Sequence, residues 1–304
     1  MWSSIGANRR LKFSSCSISV GPSTTNKTVD LPPPKLTKFN FEVVIVNDRA
    51  KQIQRNWQQA EYFVENLSND VELEMVSIPG GMFLMGSDIK EVESQEDEYP
   101  QHLVEIKSFF MSKYLITQQQ WNIIANLATV NRELPIEPAY FQGDNLPVER
   151  VSWNEAQEFC DRLSQFKNRN YCLPSEAQWE YVCRARTITP FYFGETINTD
   201  LANYSASEFN KTTTVGSFPP NSFGLHDLHG NVWEWCADYY NGNYQDAPKD
   251  GSVWQDEKND EYRVLRGGSW DSFPQFCRCA SRHWENPNVK DQEFGFRVVF
   301  VLDS

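Results

Sequence analysis

Alternation of apolar and polar positions predicts three strands in the first third of the chain. Residues 39–46, 72–78 and 82–85 follow a strand pattern, and a Pro-Gly-Gly turn at 79–81 joins the last two. Residues 57–67 differ, because Trp57, Ala60, Phe63, Val64 and Leu67 recur at helical spacing. We therefore expect a helix between the first two strands.

Three further helices are predicted by capping boxes, in which a Ser or Thr hydroxyl accepts from the N3 amide and a Glu or Gln side chain reaches back. The pairs are Thr117 with Gln120, Ser152 with Glu155, and Ser175 with Gln178. After residue 190 turns and short strands replace helical signals. The order predicts an α+β domain, with helices grouped in the middle and mostly antiparallel strands around them.

The chain divides into three parts by composition. Residues 1–38 read as an irregular N-terminal segment and linker that ends in three prolines, and 39–71 as an N-terminal strand and helix extension. Residues 72–304 form the main domain. Within it, the acidic run 88–98 and the polar stretch 241–261 are predicted to be solvated surface loops.

Charge and apolar content exclude several classes of partner. The 304 residues carry a net charge of -13, which argues against nucleic acid or an anionic membrane as the main ligand. No apolar run reaches membrane-spanning length, and the N-terminus lacks the apolar core of a signal peptide. Seven cysteines, an odd number, do not suggest a disulfide framework. We expect a soluble, cytoplasmic protein with mostly reduced thiols.

The densest group of chemically active residues is the 224–235 motif, Gly-Leu-His-Asp-Leu-His-Gly-Asn-Val-Trp-Glu-Trp. Asp227 and Glu234 offer hard oxygen donors that suit Ca²⁺. The alternative is that the polar residues hold a tight turn and the tryptophans anchor the core. His226 and His229 could face one ion, although no third ligand lies at zinc-site spacing.

Two cysteines near the C-terminus form a second candidate site. Cys277 and Cys279 would point the same way on an extended strand, and could then bind a soft metal or undergo thiol redox chemistry. The alternative is that both are small buried hydrophobes.

An irregular stretch lies between two ordered patterns at the C-terminus. Residues 263–270 and 295–299 are apolar, glycine-punctuated strand patterns, and they enclose residues 271–294, here called the bracketed segment. Its aromatic residues, Phe273, Phe276, Trp284 and Phe294, are too many for a simple solvated loop. They are predicted to be exposed contact residues, with core packing of some of them as the alternative.

Six motifs in order resemble the formylglycine-generating-enzyme, or sulfatase-modifying factor, family. They are Pro-Gly-Gly-Met-Phe-Leu-Met-Gly-Ser at 79–87, Pro-Val-Glu-Arg-Val-Ser-Trp at 147–153, Leu-Pro-Ser-Glu-Ala-Gln-Trp-Glu-Tyr at 173–181, the 224–235 motif, Arg-Gly-Gly-Ser-Trp at 266–270 and Gly-Phe-Arg-Val-Val at 295–299. The resemblance covers about residues 72 to 300 and implies a variant of the C-type lectin fold.

The resemblance also implies a structural Ca²⁺ site. Its ligands would be the side chains of Asp227 and Glu234 and the carbonyls of Gly230 and Val232. A second calcium site would begin at Asn203 and Tyr204, but its later acidic ligand has no match in residues 205–214.

Catalysis is not expected from the residues at the corresponding positions. The family's enzymes resemble copper- and O₂-dependent oxidases of a substrate cysteine that use two cysteines after the Gly-Gly-Ser motif. Ser272 occupies the first position, and Cys277 matches the second only by direct count. A serine oxygen is a poor ligand for Cu(I). The oxidase, or another enzyme on this fold, remains the alternative.

A different branch of the family fits the bracketed segment better. Gly-Gly-Ser-Trp, a scrambled interval and Gly-Phe-Arg-Val-Val resemble the variable proteins of diversity-generating retroelements, in which template adenines are randomised. The resemblance implies a non-enzymatic protein that binds a protein or other macromolecule. Many bacterial relatives that are not diversified share this C-terminal pattern. The alternative is that this chain is one of them. The expected ligand-binding positions are Asp271, Ser272, Phe273, Phe276, Ser281, His283, Trp284, Glu285, Val289, Lys290, Gln292, Glu293 and Phe294.

The genetic code offers a partial check on diversification, because randomised AAC codons all end in C. Six of the positions can have such codons: Asp271, Ser272, Phe273, Phe276, Ser281 and His283. Five cannot and would need other adenine-bearing template codons: Trp284, Glu285, Lys290, Gln292 and Glu293.

Overall fold

A computed structural model describes residues 33–255 and 261–301. The helices are α1 (Gln118–Ala125), α2 (Trp153–Lys167) and α3 (Glu176–Arg184). The strands are β1 (Thr37–Val46), β2 (Gln52–Asn66), β3 (Glu72–Ile78), β4 (Gly81–Met85), β5 (His102–Ile106), β6 (Phe109–Ser112), β7 (Tyr171–Cys172), β8 (Trp233–Tyr239), β9 (Arg263–Arg266), β10 (Arg282–Glu285), β11 (Phe294–Gly295) and β12 (Val299–Phe300).

The strands form one large sheet and two smaller ones. The large sheet has the order β1-β2-β3-β6-β12-β7, the second sheet has the order β10-β9-β8-β11, and β4 pairs with β5. All pairings between these strands are antiparallel except that of β11 with β8. The mixture of strands and helices confirms the α+β class. No described helix has the length and apolar character needed to cross a membrane.

The predicted helix at 57–67 is wrong. Residues 57–66 belong to β2. This strand pairs with β1 along Gln52–Tyr62 and with β3 from Tyr62 to Asn66. Trp57, the first residue of the supposed helical stripe, is 73% exposed. Pairing with two neighbouring strands satisfies the backbone and outweighs a weak local periodicity.

The three predicted capping boxes are confirmed. In each helix the N-cap hydroxyl accepts from the N3 amide, and the N3 side chain accepts from the N-cap amide. Trp121 of α1 stacks on Phe159 of α2, and Phe296 packs edge-on against both rings. The C-terminal bracket therefore lies inside the core.

Both brackets of the bracketed segment are buried in sheets. On the C-terminal side, β12 lies between β6 and β7 in the large sheet. On the N-terminal side, β9 lies between β8 and β10, so the segment leaves one strand and returns beside it. This arrangement fixes both ends of the segment to the core.

Candidate functional site

The bracketed segment has an outer and an inner side. Exposed side chains are Asp271, Phe273, Phe276, Trp284, Val289 and Lys290. Half-buried ones are His283, Glu285, Gln292 and Glu293. Ten of the thirteen positions predicted from the sequence thus reach the surface at least in part.

The other three positions correct the prediction, because Ser272, Ser281 and Phe294 are buried. The Ser272 hydroxyl accepts from the Ser269 amide at 3.0 Å. Phe294 packs edge-on against Trp235 with ring centroids 5.5 Å apart. None of the three presents its side chain to solvent.

Three of the four aromatic rings lie outside the core. Phe273 is 62% exposed, and Phe276 and Trp284 are each 39% exposed. Trp284 is supported from one side by Tyr262, whose ring centroid lies 4.4 Å away. Rigid rings with one free face are suited to protein contacts, because they bury large area at low entropic cost.

Buried arginines fix the inner side of the segment. Arg282 donates from Nε to Glu176 at 2.7 Å, and Arg266 pairs with Glu180; both carboxylates come from α3. Burial alone would raise the pKa of Glu176, but Arg282 and Arg266 outweigh it and lower the pKa below its usual value. The carboxylates of α3 therefore neutralise both buried arginines.

Arg278 fixes the segment to the acidic run 88–98. Its guanidinium contacts Glu91 at 2.7 Å and Glu98 at 2.5 Å and donates to the Glu93 carbonyl at 2.8 Å. Glu98 is fully buried. The prediction of a merely solvated loop is wrong for Glu91 and Glu98, because these carboxylates neutralise an arginine distant in sequence.

Glycines allow the backbone to turn into the segment. Gly268 has φ +77°, and a Cβ there would lie 2.5 Å from the Cys277 sulfur. Gly267 has φ +98° and faces Trp179. The positive φ and the close contacts together exclude a side chain at either position, just before the bracketed segment.

Cys277, which matches the second catalytic cysteine of the family's enzymes by direct count, lies in a position that does not suit copper chemistry. Cys277 ends a short 3₁₀ turn, Pro274–Cys277, and its side chain is fully buried. Burial raises the pKa of this thiol to about 12, which disfavours the thiolate that a soft metal needs. Cys277 and Cys279 do not share a strand, which corrects that expectation.

Cys279 instead faces Cys183 of α3, a contact that the sequence did not reveal. The two sulfurs are 3.5 Å apart, and the possible ligand atoms of Cys183, Cys279 and His229 lie within 4.8 Å of one another. His229 is not free to bind a metal, because its Nε2 accepts from the Tyr192 amide and its Nδ1 then donates to the Cys277 carbonyl. The arrangement is a buried thiol pair beside a fully bonded imidazole.

Of the described cysteines, five are free thiols and Cys172 is disulfide-bonded. Cys16 lies outside the described residues.

The 224–235 motif is buried, and one of its two carboxylates is paired with an arginine. Glu234 is fully buried, and both of its oxygens accept from Arg297, at 2.5 and 2.9 Å. Asp227 accepts from the Gly216 amide at 2.6 Å, while its Oδ1 has no partner among the described residues. Arg297 therefore neutralises the carboxylate charge that the calcium prediction assigns to a metal ion.

Asn203, where the second calcium site would begin, and both histidines are bonded within the protein. The Asn203 side chain donates to Lys211 and accepts from Ser207, and its carbonyl accepts from Asn231. His226 contacts the Phe218 carbonyl at 2.8 Å, and burial lowers its pKa to about 4. His226 and His229 have different partners and do not converge.

Comparison with known proteins identifies the family. The sequence matches the "Sulfatase-modifying factor enzyme 1-like domain" over residues 60–302. It is 35% identical over 248 residues to "Serine/threonine-protein kinase pkn1" of Chlamydia pneumoniae, a match that covers 74% of this chain and 38% of that protein. The chain thus spans about two fifths of that relative. It is also 26% identical over 289 residues to the "Formylglycine-generating enzyme" of Mus musculus, with 74% of each covered.

Two solved structures are similar to the fold. PvdO from Pseudomonas aeruginosa aligns with a TM-score of 0.70 and 35% identity over 79% of this chain and 98% of that one. Treponema denticola variable protein 1 aligns with a TM-score of 0.62 and 24% identity over the same shares, a likeness of fold alone. The α+β fold is the expected C-type lectin-like one, and since the family match covers most of the sequence, the chain belongs to the sulfatase-modifying factor enzyme 1-like family.

Proposed function

We propose that this protein is a non-enzymatic binding domain that presents the bracketed segment to another protein, as a variable protein of a diversity-generating retroelement. The observation that carries the proposal is the two-sided segment. Its inner side is fixed by Arg266, Arg278 and Arg282, while ten other side chains reach the surface. Side chains on such a frame can change without disturbing the core.

The chemistry of the outer side favours a protein as ligand. Phe273, Phe276 and Trp284 supply exposed rings, with half-buried polar groups such as His283 and Glu285 between them. Binding hot spots in protein interfaces are enriched in aromatic anchors surrounded by polar contacts. The likeness of fold to a protein named as variable supports the same reading.

The encoding locus provides the decisive test. A second copy of the segment that codes for residues 263–299, differing at adenines and lying near a reverse transcriptase gene, is expected. Differences should fall in codons of positions that reach the surface, such as Phe273 and His283, and should spare Phe294. A locus with neither a copy nor a reverse transcriptase gene would refute diversification.

A library experiment tests the scaffold separately from the locus. Randomising Asp271, Phe273, Phe276, Trp284 and Lys290 together should yield mostly folded proteins, measured by protease resistance of displayed clones. A matched library at buried Ser272, Ser281 and Phe294 should yield few. Equal folded fractions in the two libraries would show that the inner and outer sides are not functionally separate.

An oxidase is the second candidate, and the thiol pair Cys183 and Cys279 favours it. Burial opposes a charge on Cys279, but the hydrogen bond that the Cys183 thiol donates to its sulfur, with the nearby charge of Arg184, outweighs burial and lowers the pKa of Cys279. Copper-dependent conversion of a cysteine-containing peptide, abolished by Cys277→Ala or Cys279→Ala, would support this candidate. If both variants bind the protein ligand as the wild type does, and none of the three proteins converts the peptide, the result would oppose the oxidase.

A further inference from the structure

A groove of about 700 Å³ runs beside the bracketed segment. Three parts of the chain line it. We call Pro274, Gln275 and Arg278 its floor, and the lining residues within 88–93 and within 188–197 its first and second wall. We propose that this groove, here called the acidic groove, binds a short basic and aliphatic segment of a partner protein. The inference rests on the proposed function for the identity of the partner as a protein, and it adds the chemistry that the partner must have.

Both walls are attached to consecutive residues of the bracketed segment. Arg278 contacts Glu91 and donates to the Glu93 carbonyl on one wall. The Cys279 amide donates to the Pro190 carbonyl on the other wall at 2.7 Å. The groove is therefore pre-formed, which reduces the entropy that a ligand must overcome.

Each wall carries an exposed aliphatic side chain. Val92 is 77% exposed and Ile188 is 85% exposed, one on each wall, and Ile197 of the second wall is half-buried. Ile89, beside the first wall, is also largely exposed. Because both walls expose branched aliphatic side chains to solvent, a ligand that covers these side chains is favoured.

The charges around these aliphatic residues are predominantly negative. The lining contains the carboxylates of Asp88, Glu91, Glu93 and Glu195 against the cations Lys90 and Arg278. Four carboxylates and two cations therefore line the groove, and their net charge is two negative. A ligand with Lys or Arg side chains would reduce this repulsion, whereas an acidic ligand would increase it.

The floor also retains an unused donor. Arg278 is 97% buried, and its Nε has no acceptor among the described residues. That nitrogen is itself buried, so Arg278 holds the two walls together rather than offering this donor to a ligand.

The test begins with a phage-displayed random heptapeptide library panned on the purified full chain. Enriched clones should combine Lys or Arg with Leu, Ile or Val and should lack Asp and Glu. A fluorescent synthetic copy of the leading clone then gives a Kd by anisotropy. The double variant Glu93→Lys with Glu195→Lys, and separately Ile188→Asp, should each weaken binding at least tenfold.

Matched controls separate the groove from general surface effects. Glu137→Lys and Ile53→Asp make the same kinds of change at exposed positions that do not line the groove and should bind as the wild type does. Thermal melts should be unchanged in all variants, because the altered side chains are exposed. No enrichment, enrichment of neutral or acidic clones, or undiminished binding by the groove variants would overturn the proposal.

Failure of this inference can be distinguished from failure of the proposed function. Phe273→Ala with Trp284→Ala removes outer rings that do not line the groove and should leave peptide binding intact. If the locus lacks a template copy while the groove selects basic peptides, the groove stands without diversification. If the template exists and the groove selects nothing basic, only the present inference fails.

Discussion

The 224–235 motif and the bracketed segment contrast sharply. The motif is dense in histidine, tryptophan and carboxylate, yet its side chains are almost all buried and bonded within the protein. The bracketed segment is irregular, yet ten of its thirteen predicted ligand-binding positions reach the surface. In this fold, ordered motif chemistry supports the scaffold, and the surface available to a ligand lies where the pattern is irregular.

The largest expected effect separates inner from outer positions within the segment itself. Phe294→Ala should lower the free energy of unfolding by about 3–5 kcal/mol, because it removes a buried ring that packs on Trp235. Phe273→Ala should change it by less than about 0.5 kcal/mol, because the ring is mostly in water. Urea unfolding followed by tryptophan fluorescence measures both. Similar losses in the two variants would erase the distinction.

A glycine pair tests how tightly the start of the segment is held. Gly268→Ala should cost about 1–3 kcal/mol, because the new Cβ would meet Cys277 at a positive φ. Gly242→Ala has no atom within 4 Å of the new Cβ and should be close to neutral. The difference in urea midpoint is the readout, and a harmless Gly268→Ala would mean that the segment relaxes more easily than its buried contacts suggest.

The pH dependence of stability tests the flank of the segment. Glu149 is fully buried and accepts from the Tyr140 and Phe141 amides, and Phe141 packs on Trp270. Burial raises its pKa from 4.5 to about 7, although the two amides partly oppose this. Between these values the folded protein holds more protons than the unfolded chain, so the free energy of unfolding should fall as the pH rises.

The isosteric variant isolates this contribution. Glu149→Gln keeps an acceptor for both amides, so it should remove a loss of roughly 1–3 kcal/mol between pH 4.5 and pH 7. Chemical denaturation across that range in both proteins is the measurement. If the two curves stay parallel, the Glu149 carboxyl titrates near its ordinary value.

The smallest expected effect concerns calcium at the 224–235 motif. Since Arg297 occupies both oxygens of Glu234, millimolar CaCl₂ or EGTA should shift the melting temperature by less than about 1 °C. A clear stabilisation by Ca²⁺, lost in Asp227→Asn, would instead make the motif a metal site. The contrast between the two regions would then no longer hold.

Local signals predicted part of the fold and missed what depended on contacts distant in sequence. The capping boxes fixed the starts of α1, α2 and α3, because the bonds that form them span only three residues. The helical spacing at 57–67 was misleading, because strands on both sides of β2 override it. Local pattern alone does not report such pairing.

The same limit applies to the site. Exposure of Phe273 and Trp284 followed from their place in an irregular interval, but burial of Ser281 and Phe294 did not. The contacts of Arg278 with Glu91 and of Cys279 with Cys183 join residues more than ninety positions apart. An acidic run and a distant arginine carry no local mark of their pairing, so only the tertiary structure reveals it.

The register of β9 and β10 places Arg266 directly opposite Arg282. Two like charges in that position repel each other, and the carboxylates of Glu176 and Glu180 on α3 compensate for both. Without α3, the strands at the base of the segment would carry uncompensated cations. The outer side chains therefore hold their arrangement only within the whole domain, and a peptide that copies the segment would not inherit its shape.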